Sequence, residues 1–108
     1  MAADERPTSR KKSSEEAGLS RSDVALLLAD VSRWDLLREL AYGDSQVITH
    51  LARRIGRSPN ATGKQMQLME KLGVLRRHNR VYQLVERYRP NPETQEIDFG
   101  YCVLRLTR

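Results

Sequence analysis

Apolar residues recur at helical spacing in four segments of the chain, which predicts four amphipathic helices. In the first helix, Ser20 or Ser22 can cap the start, because a serine hydroxyl accepts a hydrogen bond from an amide of the first turn. The second helix is predicted to begin at Ser32, with Asp35 three positions later in a shortened capping box, and to end at Gly43-Asp44. The apolar stripes consist of Val24, Leu27, Leu28 and Val31 in the first helix and of Leu36, Leu37 and Leu40 in the second.

The third and fourth helices are predicted to be joined by a tight turn. Gly56 is expected to end the third helix, because the residue after a helix often adopts a positive φ that glycine tolerates. Ser58 is a suitable N-cap for the fourth helix, and Pro59 loses no hydrogen bond at the first helical position. The apolar stripes consist of Val47, Ile48, Leu51 and Ile55 in the third helix and of Thr62, Met66 and Met69, joined by Ala61, Leu68 and Leu72, in the fourth.

The opposite face of the fourth helix is polar and basic and carries no carboxylate. Its residues are Asn60, Gly63, Lys64, Gln67 and Lys71. Two interpretations are open: a plain helical hairpin with a solvated face, or a helix-turn-helix whose second helix meets DNA. Gly63 is unusual, because a glycine inside a helix costs about 1 kcal/mol relative to alanine. Close approach of the helix to DNA and tight packing against another helix explain this glycine equally well.

Two β-rich segments follow the fourth helix and favour the second interpretation. They run over residues 74–77 and 80–85, around His78-Asn79, and asparagine tolerates the left-handed conformation that a two-residue hairpin turn needs. A helix-turn-helix followed at once by a basic β-hairpin is the arrangement of a winged helix. The predicted fold class is therefore α+β, mainly α: a winged helix-turn-helix with a basic β-hairpin wing and an extra C-terminal strand.

The extra strand is predicted between Ile97 and Leu106, after a loop over residues 89–95. Both of its faces are largely apolar, so both need cover. We expect it to pair with residues 82–88, and its second face to pack on a partner subunit or on the N-terminal helices of its own chain. Trp34 likewise can pack against the first helix or against a partner chain. Because only 39% of the residues are hydrophobic, the core is small, and we expect a homodimer to complete it.

The net charge of +5 is unevenly distributed along the chain. Residues 44–90 hold ten basic and three acidic side chains, a net charge of +7, so the whole excess lies on the helix-turn-helix and the hairpin. A basic patch on such a motif favours phosphate binding. Residues 1–20 are polar, lack a large apolar anchor before Leu19 and are predicted to form a disordered tail, which leaves residues 21–108 as the domain.

The segment LADVSRWDLLRELAYGD, from Leu28 to Asp44, resembles the start of ArsR-type winged-helix regulators, in which one helix ends in Leu-Ala-Asp and Ser/Thr-Arg begins the next. The segment from Gln46 to Val85 is similar to the helix-turn-helix and wing of the same family. Together the similar parts cover roughly residues 24–85, and their order and spacing make the resemblance specific. It implies a homodimeric winged helix that binds operator DNA and represses transcription.

No metal or cofactor site carries over from that family. Its best-known metal sensors have a Cys-x-Cys pair where this chain has Ser45-Gln46-Val47, and soft metals need thiolates to bind tightly. A second kind of site uses Asp and His on a C-terminal helix, whereas a strand is predicted here. Cys102, the one cysteine, lies in this apolar strand, where it is more often a small hydrophobe than a nucleophile. We therefore predict no enzyme, no cofactor and no metal site.

The expected location of the protein is the cytoplasm. No apolar segment approaches the roughly 20 residues needed to cross a bilayer, so no membrane partner is predicted. The start of the chain lacks the hydrophobic core of an export signal. A single cysteine excludes a disulfide within the chain and fits a reducing compartment. The sequence identifies no effector.

The predicted partner is double-stranded DNA, with the fourth helix in the major groove, where amide side chains suit adenine and lysine suits guanine. The residues predicted to read bases are Asn60, Lys64 and Gln67. The residues predicted to contact phosphates are Arg53, Arg54, Arg57, Arg76, Arg77 and Arg80. The alternative function is a winged-helix protein-interaction or assembly module without direct DNA reading, which predicts an exposed apolar patch and no salt-sensitive affinity for DNA.

Overall fold

The computed structural model of the chain describes residues 18–42 and 46–106. Within these ranges the α-helices are α1 (Arg21–Leu27), α2 (Val31–Tyr42), α3 (Ile48–Ile55) and α4 (Pro59–Lys71). The strands are β1 (Gln46–Val47), β2 (Leu75–His78), β3 (Val81–Leu84), β4 (Glu96–Asp98) and β5 (Val103–Arg105), and a 3₁₀ helix (Glu86–Tyr88) follows β3. The helices pack with two small antiparallel sheets, which confirms the predicted α+β class.

The α1–α2 junction differs from the prediction in its capping. The Ser20 hydroxyl accepts a hydrogen bond from the Asp23 amide at 3.1 Å, so Ser20 rather than Ser22 caps α1. Asp30 caps α2, because its Oδ1 accepts from the Ser32 amide at 2.8 Å. The prediction that Ser32 opens α2 is therefore wrong, and so is the assignment of Val31 to the stripe of α1. Val31 begins the next helix and is 67% exposed.

The side chain of Arg33, in the first turn of α2, satisfies the C-terminal end of α1. Its Nε donates to the Leu27 carbonyl at 2.9 Å and its Nη2 to the Leu26 carbonyl at 2.8 Å. These are carbonyls of the last turn of α1, which have no partner within that helix. Arg33 is buried, and the remaining arm of its guanidinium donates to the side-chain oxygen of Gln65 in α4. One side chain thus joins α1, α2 and α4.

Trp34 completes the same junction. Its indole Nε1 donates to the Leu28 carbonyl at 2.9 Å, just beyond the end of α1. Trp34 is predicted to pack either against the first helix or against a partner chain, and in the structure it contacts the end of the first helix. The ring remains 39% exposed, so part of it is still available to another molecule.

The turn between α3 and α4 has the predicted chemistry. Gly56 ends α3 in the left-handed region, with φ 75°. Ser58 caps α4 by accepting from the Ala61 amide at 3.1 Å, and Pro59 is the first helical residue. Val47 is predicted in the apolar stripe of α3. In the structure it lies in β1 instead, where it pairs with Val81 of β3.

The buried side of α4 is narrower than predicted. Thr62, Met66 and Met69 are almost fully buried, as expected. Ala61 is exposed, because it lies about 100° around the helix from Thr62, with 3.6 residues to each turn. Leu68, Leu72 and Glu70 are half-buried at the edges of the stripe. The outward face of α4 therefore extends to Ala61.

The first sheet has the strand order β1-β3-β2, and β2 and β3 form the predicted basic hairpin. Asn79 has φ 61°, the left-handed conformation expected for the turn. The turn consists of Asn79 and Arg80 rather than His78 and Asn79, because His78 pairs with Val81 as the last residue of β2. The hairpin is thus shifted by one residue from the prediction.

The predicted C-terminal strand is wrong, because the chain reverses within it. Asp98 Oδ1 accepts from the Gly100 amide at 2.8 Å, and Gly100 has φ 95°, so β4 and β5 pair with each other. The pairing expected with residues 82–88 is not formed. Owing to the reversal Ile97, Phe99, Leu104 and Leu106 are buried, whereas Tyr101 and Val103 are exposed.

The hydrophobic core lies between the four helices and the two sheets. It includes Leu19, so the folded part begins before residue 21, and the rest of the predicted tail (residues 1–17) lies outside the described residues. The Tyr42 hydroxyl donates to the Leu106 carbonyl at 2.6 Å and so ties α2 to the C-terminal hairpin. In the described ranges, no helix has the length and apolar character needed to cross a membrane.

Candidate nucleic-acid interface

The three residues predicted to read bases lie on one exposed face of α4. They are brought together because residues three, four and seven positions apart share a helix face, and the buried stripe of Thr62, Met66 and Met69 turns that face outward. Asn60, Lys64, Gln67 and, one turn further, Lys71 are exposed. The face therefore offers two amides and two cations, without a carboxylate among its exposed residues.

Gly63 lies on the same side of α4 but is half-buried. A Cβ added at this position would come no closer than 3.7 Å to any described atom outside the helix, and that atom is Ile48 Cδ1. This is an ordinary van der Waals distance. Of the two explanations offered for the glycine, tight packing against another helix is therefore wrong within the described chain.

The hairpin arginines are divided between two faces of the sheet. Successive residues of a strand point to opposite sides, so Arg76 and Arg77 do not point in the same direction. Arg77 and Arg80 line one cleft, whereas Arg76 is opposite Gln83 and does not line it. Arg77 also forms an ion pair with Glu70 of α4, with 3.6 Å between Nε and Oε1. Arg80 and Arg76 have no ion pair with another described residue.

The cleft that Arg77 and Arg80 line has a volume of about 330 Å³ and lies between the start of α3 and the hairpin. Val47, the N-cap of α3, has no side-chain acceptor for the first amides of the helix. The positive end of the helix dipole therefore adds to the charge of the two arginines. Thr49 and Asn79 also line the cleft and are exposed. These two residues are not among the predicted contact residues. A polar side chain in the first turn of a helix or in a hairpin turn is the sequence feature that could have indicated them.

The arginines of the α3–α4 turn are directed partly toward acidic residues of the N-terminal helices. Arg54 Nε lies 3.0 Å from Glu39 Oε1 of α2. Arg57 is close enough to Asp30 to help keep the pKa of that carboxyl below its usual value, although the hydrogen bonds from Ser32 are the main cause. Arg53 is exposed and has no ion pair with a described residue. Exposed pairs such as Arg54–Glu39 are worth about 0–1 kcal/mol, so a phosphate can compete for the arginine.

In the part of the chain that the structure describes, no three His, Cys, Asp or Glu side chains lie together as metal ligands would. Cys102 is half-buried in the turn of the C-terminal hairpin. Among the described residues, Asp30 has a clearly shifted pKa, and so has Tyr88, whose phenol pKa is raised by burial. A helix cap and burial in the core explain these two shifts.

No protein-family model matches the chain, and no match was found among curated proteins or solved structures. The resemblance to ArsR-type regulators therefore stays a prediction from the motifs between Leu28 and Val85.

Proposed function

We propose that the protein is a sequence-specific DNA-binding regulator of transcription, with the winged helix-turn-helix fold of ArsR-type regulators. In this proposal α3 and α4 are the helix-turn-helix, and the β2–β3 hairpin is the wing. The arrangement of helix, glycine turn, capped helix and basic hairpin supports the assignment, as does the pairing of β1 with β3. From the resemblance we expect the regulator to repress its target genes.

The observation that carries the proposal is the outward face of α4. Asn60, Lys64, Gln67 and Lys71 are exposed together on a helix of 13 residues, which is about 20 Å long. The major groove admits an α-helix, and its base edges offer the donors and acceptors that amide and lysine side chains recognise. On a face that is only solvated, a carboxylate is as acceptable as an amide or a cation. On a face that meets a polyanion, each carboxylate would repel phosphate, so a face without carboxylates favours DNA as the partner.

The hairpin supplies the contacts that orient α4 on the duplex. Arg80, at the turn, is exposed and without an ion pair to any described residue, so it can bind a phosphate at little cost. Arg77 would have to exchange Glu70 for the phosphate. We therefore assign Arg80 the larger share of the binding energy among the wing arginines. Phosphate contacts of this kind position the protein and carry no sequence information themselves.

The proposed regulator is a homodimer. Large apolar side chains remain exposed at two places: Leu26, Val31 and Trp34 at the α1–α2 junction, and Tyr101 and Val103 on the C-terminal hairpin. Burying either patch against a second copy would remove apolar surface from water. A dimer with two-fold symmetry would bind two half-sites one or more helical turns apart.

The same apolar side chains support the second candidate function, a protein-interaction or assembly module. Tyr101 and Val103 are 63% and 54% exposed and lie two positions apart in the chain, so together they offer apolar surface to a partner protein. In that case the basic face of α4 would be a solvated surface. The two candidates differ in a measurable property, since a module of this kind has no salt-sensitive, sequence-dependent affinity for DNA.

Selection of bound fragments from a random duplex pool by the full chain is the direct test of the proposal. We expect repeated rounds to enrich one motif, and an inverted repeat if the dimer binds. A duplex that contains the motif should then bind more tightly than a scrambled duplex of the same composition. Failure to enrich any motif, with no binding to the starting pool at low salt, would contradict the proposal and favour the interaction module.

A further inference from the structure

We infer that Gly63 is a contact residue of the DNA interface, at which the backbone of α4 approaches the duplex too closely to admit a side chain. The inference rests on the proposed function and concerns the distance between the backbone of α4 and the duplex. It identifies the residue that determines how deeply the helix enters the groove.

Neither helix formation nor backbone conformation explains a glycine at this position. Gly63 is the fifth of the 13 residues of α4, in the helix interior, where glycine is less favourable than every residue except proline. Glycines that are needed for a positive φ in this chain lie elsewhere, for example Gly56 at the end of α3. Any other helix-forming residue would fit the backbone of α4 at position 63.

Packing within the described chain does not require the glycine either. The nearest described atom outside α4, Ile48 Cδ1, would lie 3.7 Å from an added Cβ. At that distance a methyl group makes a favourable contact and displaces nothing. Alanine at position 63 should therefore improve both the helix and its packing on α3. The chain nevertheless has glycine there, so no described residue accounts for it, and in our inference a bound partner does.

The neighbours of Gly63 indicate what that molecule is. On the outward side of α4, Asn60 and Gln67 lie three residues before and four residues after Gly63, and both are exposed amides, whereas Met66 on the other side of the glycine is buried. An apolar helix packed on the outward side would bury these amides, and the nearby charge of Lys64, without partners. Duplex DNA provides both the negative charge and the hydrogen-bonding base edges that these side chains need. The close approach is therefore to a groove of DNA.

Gly63→Ala tests the inference, because stability and DNA affinity should change in opposite directions. The melting temperature should rise by a few degrees, because alanine is the better helix former. Affinity for the selected duplex should fall at least tenfold, because the methyl group lifts α4 from its contacts. Gly63→Ser, with a slightly larger side chain, should lower the affinity at least as much. Both quantities are measured on the full chain, by thermal unfolding and by fluorescence titration of a labelled duplex.

Ser22→Ala is the matched control. Ser22 is exposed in the first turn of α1, and its replacement by alanine adds no bulk to the proposed interface. This variant should bind DNA as the wild type does, so an alanine substitution in a helix would not by itself account for a loss of affinity.

The possible failures of the inference and of the proposed function are distinguishable. If the wild type binds its duplex and Gly63→Ala binds equally well, the close approach at Gly63 is wrong while the regulator proposal stands. A lower melting temperature for Gly63→Ala would show that packing needs the glycine, which would also overturn the inference. If the wild type binds no DNA, the proposed function itself fails.

Discussion

The guanidinium of Arg33 in α2 donates a hydrogen bond to the side-chain oxygen of Gln65 in α4, while its other two nitrogens donate to the last carbonyls of α1. Gln65 lies beside the outward face of α4 and is half-buried. The contact therefore ties the rotation of α4 to the N-terminal helices. An arginine of α2 that is not itself part of the proposed interface thus helps to orient the side chains that would meet DNA.

Replacing Arg33 by methionine should destabilise the domain strongly. The substitution keeps much of the side-chain volume but removes the donor to the Leu27 carbonyl and to the side-chain oxygen of Gln65, while the Leu26 carbonyl keeps the Ala29 amide at 3.3 Å. The Leu27 carbonyl would be left buried and unpaired, which costs about 1–3 kcal/mol, so we expect a loss of that size in the free energy of unfolding. Urea unfolding measures this loss of stability. The control is Arg21→Met at an exposed position, and its free energy of unfolding should lie within about 0.5 kcal/mol of the wild-type value. Equal stability of the two variants would refute the role given to Arg33.

Asp30 should make the stability of the protein depend on pH in the acid range. The hydrogen bonds from Ser32 hold the pKa of the Asp30 carboxyl below its usual value. A folded-state pKa that is lowered means that the stabilisation is fully present above the unfolded pKa, about 3.9, and is lost as the pH falls through the folded pKa. Asp30→Asn keeps an acceptor oxygen but has no titration of its own.

The measurement for Asp30 is the urea midpoint of both proteins between pH 6 and pH 2.5. Wild type should be the more stable at pH 6, and its advantage over Asp30→Asn should shrink below about pH 4. The other carboxyl groups titrate in both proteins, so the difference isolates Asp30. A difference that stays constant over this range would mean that Asp30 does not titrate as a cap.

Thr62→Val should stabilise the protein. The Thr62 side chain is 1% exposed, and its hydroxyl has no hydrogen-bond partner among the described residues. Valine has nearly the same shape without the buried polar atom, so removing the hydroxyl should gain about 1 kcal/mol. Thermal unfolding gives the result. A clear loss of stability would mean that the hydroxyl is satisfied, for example by bound water.

The parts of the fold that depend on residues close together in the chain could be predicted from the sequence. Gly56 and Ser58 act on amides or backbone angles within three positions, so their residue types are sufficient evidence for the α3–α4 turn. The outward face of α4 follows from helical periodicity alone, and this is why the exposure of Lys64 and Gln67 agrees with the prediction.

The failures arose where two local signals competed. Asp30 and Ser32 are both good caps, and only the fold shows that the carboxylate of Asp30 receives the amide of Ser32. In the C-terminal segment, β-forming residues from Ile97 to Leu106 outweighed the turn signal of Asp98 and Gly100.

Contacts between distant parts of the chain could not be predicted at all. Arg33 meets Gln65 across 32 positions, and Arg54 meets Glu39 across 15. Nothing local to these residues indicates the partner. For the same reason the sequence treated the six arginines as equivalent phosphate ligands, whereas in the structure Arg54 and Arg77 already have carboxylate partners.

The proposed dimer should depend on the C-terminal hairpin. Tyr101 and Val103 are two positions apart in the chain, and both expose apolar surface next to the buried face of the hairpin. At tens of micromolar, sedimentation equilibrium should give twice the chain mass of 12.5 kDa, and Val103→Lys should give the monomer. Val31→Lys, a matched change at the other exposed apolar patch, should remain dimeric. A wild-type chain that sediments only at 12.5 kDa would exclude the dimer.

The salt dependence of DNA binding by wild type, Arg80→Ala and Gln67→Ala is the most direct test of whether α4 and the hairpin form a DNA interface. Arg80 is proposed to bind a phosphate, so its loss should reduce the slope of log affinity against log salt by about 0.9 and weaken preferred and scrambled duplexes by similar factors. Gln67 is proposed to contact a base, so its loss should leave the slope unchanged. The preferred duplex alone should then lose roughly 1–3 kcal/mol.

The measurement is the affinity of each protein for both duplexes at four or five salt concentrations. We expect a change of slope for Arg80→Ala without a change of specificity, and a change of specificity for Gln67→Ala without a change of slope. If both variants weaken the two duplexes alike, α4 does not read bases. If neither variant affects binding, the basic face of α4 and the hairpin do not form a DNA interface.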